Sequence, residues 1–429
     1  MKHTTTEVRL KNGAKGLFID IPGATVMSFQ FQFRAGNRYV KHKDIYETAH
    51  VMEHMAFGAN AQFKNEHAYE AEFTKNGAYH NAYTSDLSMV YVADCADFEW
   101  ERIMRLQQVA ICQPKFNSEE LEAEKGNVKS ELTGYLNNHN RVLWPKIQQL
   151  LGEDVYTFWQ RLQTISTVQL KDIREHHRRT HTSDNMRFVI AGKLDGRKAQ
   201  LRRMLEEWEL PRGERFEVPR DELRSGNTTL IRRKEASNLT FGWSMTLPRE
   251  LSDEEAEAMA CLDQILTGTM HSRIYGAARK KGLAYGMFSD TSVGFHDSSW
   301  DFGGQVNLET AEGLFDIIVH ELKAVVGGKI TYEELEAAKS YALGRHQMGA
   351  QTVAQISNFY TNRYFGDGVV KDYDKVPDAI RGITLDRMLA TAREFIAHNT
   401  WVLAGVSSGE KDELMALGDK LESVFVAKG

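Results

Sequence analysis

Two stretches of this chain recur at nearly one spacing, and that recurrence limits the possible folds more than any other feature. Phe116–Lys125 (FNSEELEAEK) returns as Ile330–Lys339 (ITYEELEAAK), an offset of 214 in the numbering. Phe188–Gly192 (FVIAG) returns as Trp401–Gly405 (WVLAG), an offset of 213. A third likeness is one of pattern. Phe29, Phe31 and Phe33 alternate with Gln30, Gln32 and Arg34, as Leu239, Phe241, Trp243 and Met245 alternate with Thr240, Gly242 and Ser244. Apolar side chains at every second position mark strands with one face under a layer of helices. The expected architecture is two copies of one α+β domain. A chain of 429 residues also exceeds one ordinary core. The copies are read as residues 1–210 and 225–429. Between them a linker, about 207–226, carries Pro211, Gly213 and Pro219 among charged residues.

Within the first copy, His50-Val51-Met52-Glu53-His54 places two imidazoles and a carboxylate close together in sequence. On a helix, residues three and four apart share a face, so His50, Glu53 and His54 project together. Two neutral imidazoles one turn apart make half a zinc site, and a carboxylate beside them can act as a base on a zinc-activated water. The order is H-x-x-E-H, the inverse of the zincin motif. Ile45, Ala49, Met52 and Ala56 supply an apolar face for such a helix. A second helix is expected from Asn117, which can cap it, with Glu120 reciprocating as in a capping box. On it Glu124 and Glu131 lie two turns apart and point the same way. His50, His54 and Glu131 complete the three protein ligands of a catalytic zinc, leaving one position open. These ligand types suit several divalent metals, zinc first among them. Moving His50, Glu53, His54 and Glu131 forward by the offset of 214 lands on Gln264, Thr267, Gly268 and Arg345, so the second copy has no such site.

At this point the chain resembles the pitrilysin/insulinase metallopeptidases, the inverzincins. Their signature is H-x-x-E-H, a Glu ligand at a long fixed spacing after it, and another Glu two helical turns before that ligand. Here those positions are His50, Glu53, His54, Glu131 and Glu124, and Glu131 follows His54 at the family's spacing. An Asn-Ala-x-Thr segment follows in the family, and Asn81-Ala82-Tyr83-Thr84 matches it. The likeness is specific as far as Tyr135 and looser beyond. It implies mainly antiparallel sheets covered by helices, arranged as half of a clamshell, and a zinc endopeptidase in which Glu53 is the general base. Glu124 would orient a ligating imidazole, while Asn81 and Ala82 would hold substrate backbone; Asn81 has the alternative of capping a hairpin. In the family the second half also lends an Arg and a Tyr two turns apart in numbering. Tyr285 stands where that Tyr belongs, but Ala278 occupies the Arg position and Arg279 is one step round. That departure leaves room for a homodimer, or for a heterodimer with a homologue bearing the Arg/Tyr pair.

Other features exclude or set aside alternatives. A net charge of −6 with no basic stripe argues against nucleic acid. Cys95, Cys112 and Cys261 are too few and too scattered for a disulfide framework. Met1–Gly13 reads as entering a strand, without a leader's apolar run, and nothing approaches a membrane span. A cytoplasmic location is the expectation. His176, His177 and His181 read as a solvated helix face rather than a metal pair, and Gly303-Gly304 and Gly327-Gly328 as turns. Besides a self-sufficient peptidase, two readings stand: a non-catalytic assembly subunit, and a maturation peptidase that works only with a partner chain.

Overall fold

The computed structural model describes residues 1–226 and 228–425; residues 227 and 426–429 of the second sequence-read domain lie outside the described residues. The chain divides into two compact units, neither continuous in sequence. Residues 1–134, 158–219 and 348–371 form the first, and residues 135–157, 220–347 and 372 onward the second.

The first unit is built on six strands: β1 (Thr4–Arg9), β2 (Lys15–Asp20), β3 (Val26–Phe33), β4 (Tyr79–Thr84), β5 (Met89–Ala96) and β6 (Arg187–Gly192). Their order is β1-β2-β6-β3-β5-β4, antiparallel except for the β2–β6 pair. The second unit holds β7 (Thr229–Arg232), β8 (Asn238–Leu247), β9 (Ala284–Val293), β10 (Ser298–Asn307) and β11 (Thr400–Ser407), in the order β7-β11-β8-β10-β9. Only β7 and β11 run parallel. Each unit is thus an α+β layer structure on a mixed, mainly antiparallel sheet. Among the described residues no helix is long and apolar enough to cross a membrane.

Both faces of the central strands are covered, where alternation had suggested one. Phe29, Phe31 and Phe33 are fully buried on one side of β3, yet Gln30 and Gln32 on the other are buried as well. The helix Val353–Tyr364 belongs to the first unit and lies over β3 and β6. Buried amides need partners: Gln30 Nε2 donates to Ser357 Oγ (3.0 Å) and Asn358 Oδ1 (2.7 Å). In the second unit the corresponding cover is the helix His139–Leu151. Its Leu143, Ile147 and Leu151 pack on Val402, Ala404 and Val406 of β11. Gly242 permits that approach, since a Cβ there would sit 2.6 Å from Ile147 Cδ1. Polar residues on the second face of each strand therefore mark a polar or glycine-lined packing surface, not a wet one.

Other sequence readings divide. Residues 208–226 form no helix or strand. As far as Pro219 they belong to the first unit, tied there through Pro211, whose carbonyl accepts from Ser183 N, and Arg215, which donates to Gln32 Oε1 (2.9 Å). From Arg220 they belong to the second, where Arg224 N donates to Leu151 O (2.8 Å). Gly327-Gly328 does end a helix in a turn, with Gly328 at φ +73°. Gly303-Gly304 is not a turn; it lies within β10 opposite Gly242 and Phe241. A Cβ on Gly303 would collide with the Phe288 ring at 2.6 Å, which explains the glycine.

The histidine group is not a solvated face either. On the helix Leu170–Thr180, His176 shares the inward stripe of Ile173 and Thr180, and His181 follows the helix into the core. His176 Nε2 donates to Ala35 O (2.8 Å) and His177 Nε2 to Ile111 O (2.9 Å). His181 Nε2 meets Tyr91 Oη (2.8 Å), and its ring stacks between Phe33 and His177. Burial drives the pKa of His176 and His177 down to about 4, and that of His181 well below its ordinary value. For His176 and His177 the unfolded chain takes up the proton near pH 6.5 and the folded one only near pH 4. Stability is therefore present above about pH 6.5 and lost as pH falls between those values, by up to about 3 kcal/mol for each of His176 and His177. Urea midpoints measured from pH 7 to pH 4 should fall steeply for the wild type. His176→Gln, which keeps a donor for Ala35, should flatten the fall; an unchanged slope would refute this source of acid sensitivity.

Candidate metal centre

The helix Thr48–Ala56 turns Ala49, Met52 and Ala56 into the core of the first unit, and this sets His50, Glu53 and His54 on its other side. The helix Ser118–Tyr135 carries Glu124 and Glu131. Asn117 does cap it, its Oδ1 accepting from Glu120 N at 2.8 Å. Glu120 does not reciprocate. Its Oε1 instead accepts from Ala59 N (2.8 Å), just past the end of the His50 helix. A Cβ on Gly58 would stand 2.7 Å from Glu120 Oε2, so glycine gives that carboxylate its place. One side chain thus pins the end of one helix to the start of the other.

The pinning brings three donors to a point. Glu131 Oε2 lies 3.5 Å from His50 Nε2 and 3.4 Å from His54 Nε2. Two ligands about 2.0–2.1 Å from a tetrahedral zinc stand about 3.4 Å apart. These separations therefore match an edge of that tetrahedron better than a hydrogen bond. Among the described residues His50, His54 and Glu131 are the one group of His, Cys, Asp or Glu whose ligand atoms converge in this way, all within 4.8 Å.

Each imidazole is held from behind. His50 Nδ1 donates to Glu47 Oε2 and His54 Nδ1 to Glu124 Oε2, both at 3.0 Å. Carboxylates accept, so Nδ1 carries a proton in each ring and Nε2 is the atom turned inward, the one that would ligate a metal. Asn127 Nδ2 steadies Glu124 (3.1 Å). Glu47 is wholly buried, and Arg161 grips it through Nε–Oε1 (2.6 Å) and Nη2–Oε2 (3.1 Å). Burial alone would raise the Glu47 pKa; the Arg161 charge and the His50 hydrogen bond outweigh it and lower it. For His54, burial pulls the other way from its neighbours. The Glu124 hydrogen bond, the Glu131 carboxylate and the nearby Glu53 charge carry its pKa up to about 10, so without a metal this imidazole holds a second proton, on Nε2, that a cation would displace. The point between the rings favours positive charge, as a cation site must.

Glu53 is half-buried beside these groups and, among the described residues, makes no hydrogen bond or ion pair. Asn81 and Ala82 lie on β4, an edge strand. Asn81 is exposed, its Nδ2 donating to Tyr79 Oη (3.2 Å) and its Oδ1 accepting from Ala82 N (2.9 Å), while the Ala82 side chain is buried. In the second unit Tyr285 is 84% exposed at the start of β9, with the Arg279 guanidinium 4.5 Å from its ring centre. The helix Arg273–Lys280 sends Ala278 into the core and Arg279 outward, so the displaced arginine and the tyrosine meet. Sequence reasoning missed Glu47 and Arg161. Glu47 was findable, one turn before His50 on the same helix face; nothing local marks Arg161.

Residues 18–153 match the Insulinase (Peptidase family M16) domain, and residues 167–341 the Peptidase M16 inactive domain. The chain belongs to the peptidase M16, or insulinase, family. It is similar to the mitochondrial-processing peptidase subunit beta of Caenorhabditis elegans, 27% identical over 198 residues. That match spans 44% of this chain and 42% of that relative's length. Its fold is that of a protease from Helicobacter pylori (TM-score 0.79, 15% identity, 94% of this chain and 100% of the other). A peptidase M16 inactive domain from Pseudomonas fluorescens is equally similar (0.81, 16%, 95% and 99%), as is a putative M16-like peptidase from Alicyclobacillus acidocaldarius (0.80, 18%, 95% and 98%).

The Glu47–Arg161 pair makes a direct prediction. Arg161→Met leaves a buried carboxylate without its counter-charge and should cost about 3–5 kcal/mol in urea unfolding. Adding Glu47→Gln should recover most of that loss. A double variant no more stable than Arg161→Met alone would contradict the pairing.

Proposed function

We propose that this protein is a zinc-dependent endopeptidase acting on peptides or unfolded segments, with residues 1–210 as its zinc-bearing part and 225–429 as a homologous part without zinc. The observation that carries this reading is the meeting of His50 Nε2, His54 Nε2 and Glu131 Oε2, with both Nδ1 atoms engaged behind them. Two imidazoles, each at a tetrahedral-edge separation from one carboxylate, fit zinc. A zinc ion there would supply Lewis acidity towards water and the scissile carbonyl.

The remaining work falls to the chain. Glu47 and Glu124 fix the imidazole tautomers and orientations. Glu53 takes the proton from the attacking water and passes it to the leaving amine. Substrate backbone lies along the open edge of β4 as an added strand, with Asn81 and the backbone of Ala82 holding it. Tyr285, with Arg279 against its ring, stabilises the developing oxyanion. The three cysteines are free thiols, which suits the cytoplasmic location we assign.

A second reading has one observation in its favour. Ala278 is buried where the resemblance calls for arginine. On that reading the chain works as a homodimer, or pairs with a homologue that carries the Arg/Tyr pair, and cleaves only in that company. Similarity to a protein named as a subunit supports it.

Quenched fluorescent peptides and metal analysis on wild type and Glu53→Gln separate the possibilities. Glu53→Gln should retain about one zinc per chain and lose about 10²–10⁴ in cleavage rate. Full activity in that variant would refute the assigned base, and an inert zinc-loaded wild type would favour the partner-dependent reading. Glu124→Ala should weaken zinc binding by about 10–100-fold in chelator competition. Unaltered zinc affinity would remove Glu124 from the site.

A further inference from the structure

The internal repeat lets the two copies be compared position by position, and at one place the second has lost bulk. In the first unit the helix Trp100–Cys112 starts directly after β5 and its 3₁₀ turn, with Trp100 buried. Leu194, just beyond β6, is buried too, and Arg197 lies over the Trp100 ring (5.8 Å). In the second unit the matching helix Ala311–Val326 starts with Ala311, after β10 and its 3₁₀ turn. The offset of 213 that relates Phe188–Gly192 to Trp401–Gly405 carries Leu194 to Ser407, and helix start Lys198 to helix start Lys411. Alanine and serine thus replace an indole and an isobutyl group. Where they stand, a cavity of about 270 Å³ opens, lined by both.

The walls of the cavity have a definite chemistry. Leu230, Leu239, Leu308, Leu414 and Leu417 line it with apolar surface. Glu309, Glu312, Glu410 and Glu413 line it with carboxylates, against the single cation Lys420. Lys420 is already engaged by Glu312 (3.0 Å) and Asp316, Glu410 is met by Arg232, and Glu413 accepts from Glu410 N (2.9 Å). Glu309 has no side-chain hydrogen bond or ion pair among the described residues. Two helices begin at this place, and their bare N-termini would favour an anion. Four glutamates reverse that preference. Apolar pockets with a few placed charges are the ordinary form of small-molecule sites.

We propose that this cavity binds a small organic cation whose apolar body is about the size of an indole, seated on the leucines with its ammonium among the four glutamates. The site lies wholly in the second unit and does not depend on the peptidase reading.

The test is equilibrium dialysis of the full chain against tryptamine, with indole-3-propionate as the probe of reversed charge. Tryptamine should bind saturably at one site with a Kd of roughly 0.01–1 mM. The propionate should bind at least several-fold more weakly. Ala311→Trp and Ser407→Leu restore the first unit's side chains and should each abolish binding. Glu309→Gln changes the charge and keeps the volume, and should weaken tryptamine several-fold even if Ala311→Trp fails to fold. Absence of saturable binding, equal binding of the two probes, or wild-type binding by a folded Ser407→Leu would overturn the proposal.

Discussion

The Glu131 carboxylate stands between two imidazoles at separations too long for good hydrogen bonds and close to the edge of a zinc tetrahedron. Much of the first unit serves to hold it there. Its helix is pinned to the His50 helix by Glu120, which accepts from Ala59 N across the space that Gly58 leaves. The imidazoles it faces are each fixed from behind, one by Glu124 and one by Glu47, and Glu47 stays ionised in the core because Arg161 grips it and His50 donates to it. Removing a link in this series leaves a buried charge or a free rotor rather than a slightly weaker contact. That is the usual consequence of assembling charged groups in a poorly solvated place.

The sheets show the same economy in apolar terms. Each has its core face packed by helices, and each has its second face covered by one further helix from a distant part of the sequence. The first unit meets that cover with buried glutamines bonded to Ser357 and Asn358. The second meets it with Gly242 and small polar residues under Leu143 and Ile147. The two copies therefore share a layout while differing in how they satisfy it. Such local differences also account for the cavity behind Ala311 and Ser407.

How much of this was legible in the sequence depended on range. Helices with caps, the doubled α+β architecture and the shared face of His50 and His54 follow from spacing, because helical and strand periods fix which side chains point the same way, whereas Glu131 joins them only through the resemblance to a known family. Polarity misled at longer range. Gln30 and Gln32 look solvent-facing until the Val353–Tyr364 helix, from the far end of the chain, covers them. His176, His177 and His181 look wet amid arginines, yet the folded unit buries and bonds them. Gly303-Gly304 reads as a turn because its reason, the Phe288 ring, comes from the neighbouring strand. Arg161 had no local signal at all. Its role is set by Glu47, a carboxylate far back in the sequence.

X-ray absorption at the zinc edge, on protein loaded with one equivalent of zinc, tests the central claim most directly. A shell of two imidazole nitrogens and carboxylate oxygen at about 2.0–2.1 Å, lost in His54→Ala and kept in Glu53→Gln, is the predicted result. Failure to hold zinc stoichiometrically, or a shell unchanged by His54→Ala, would contradict the account.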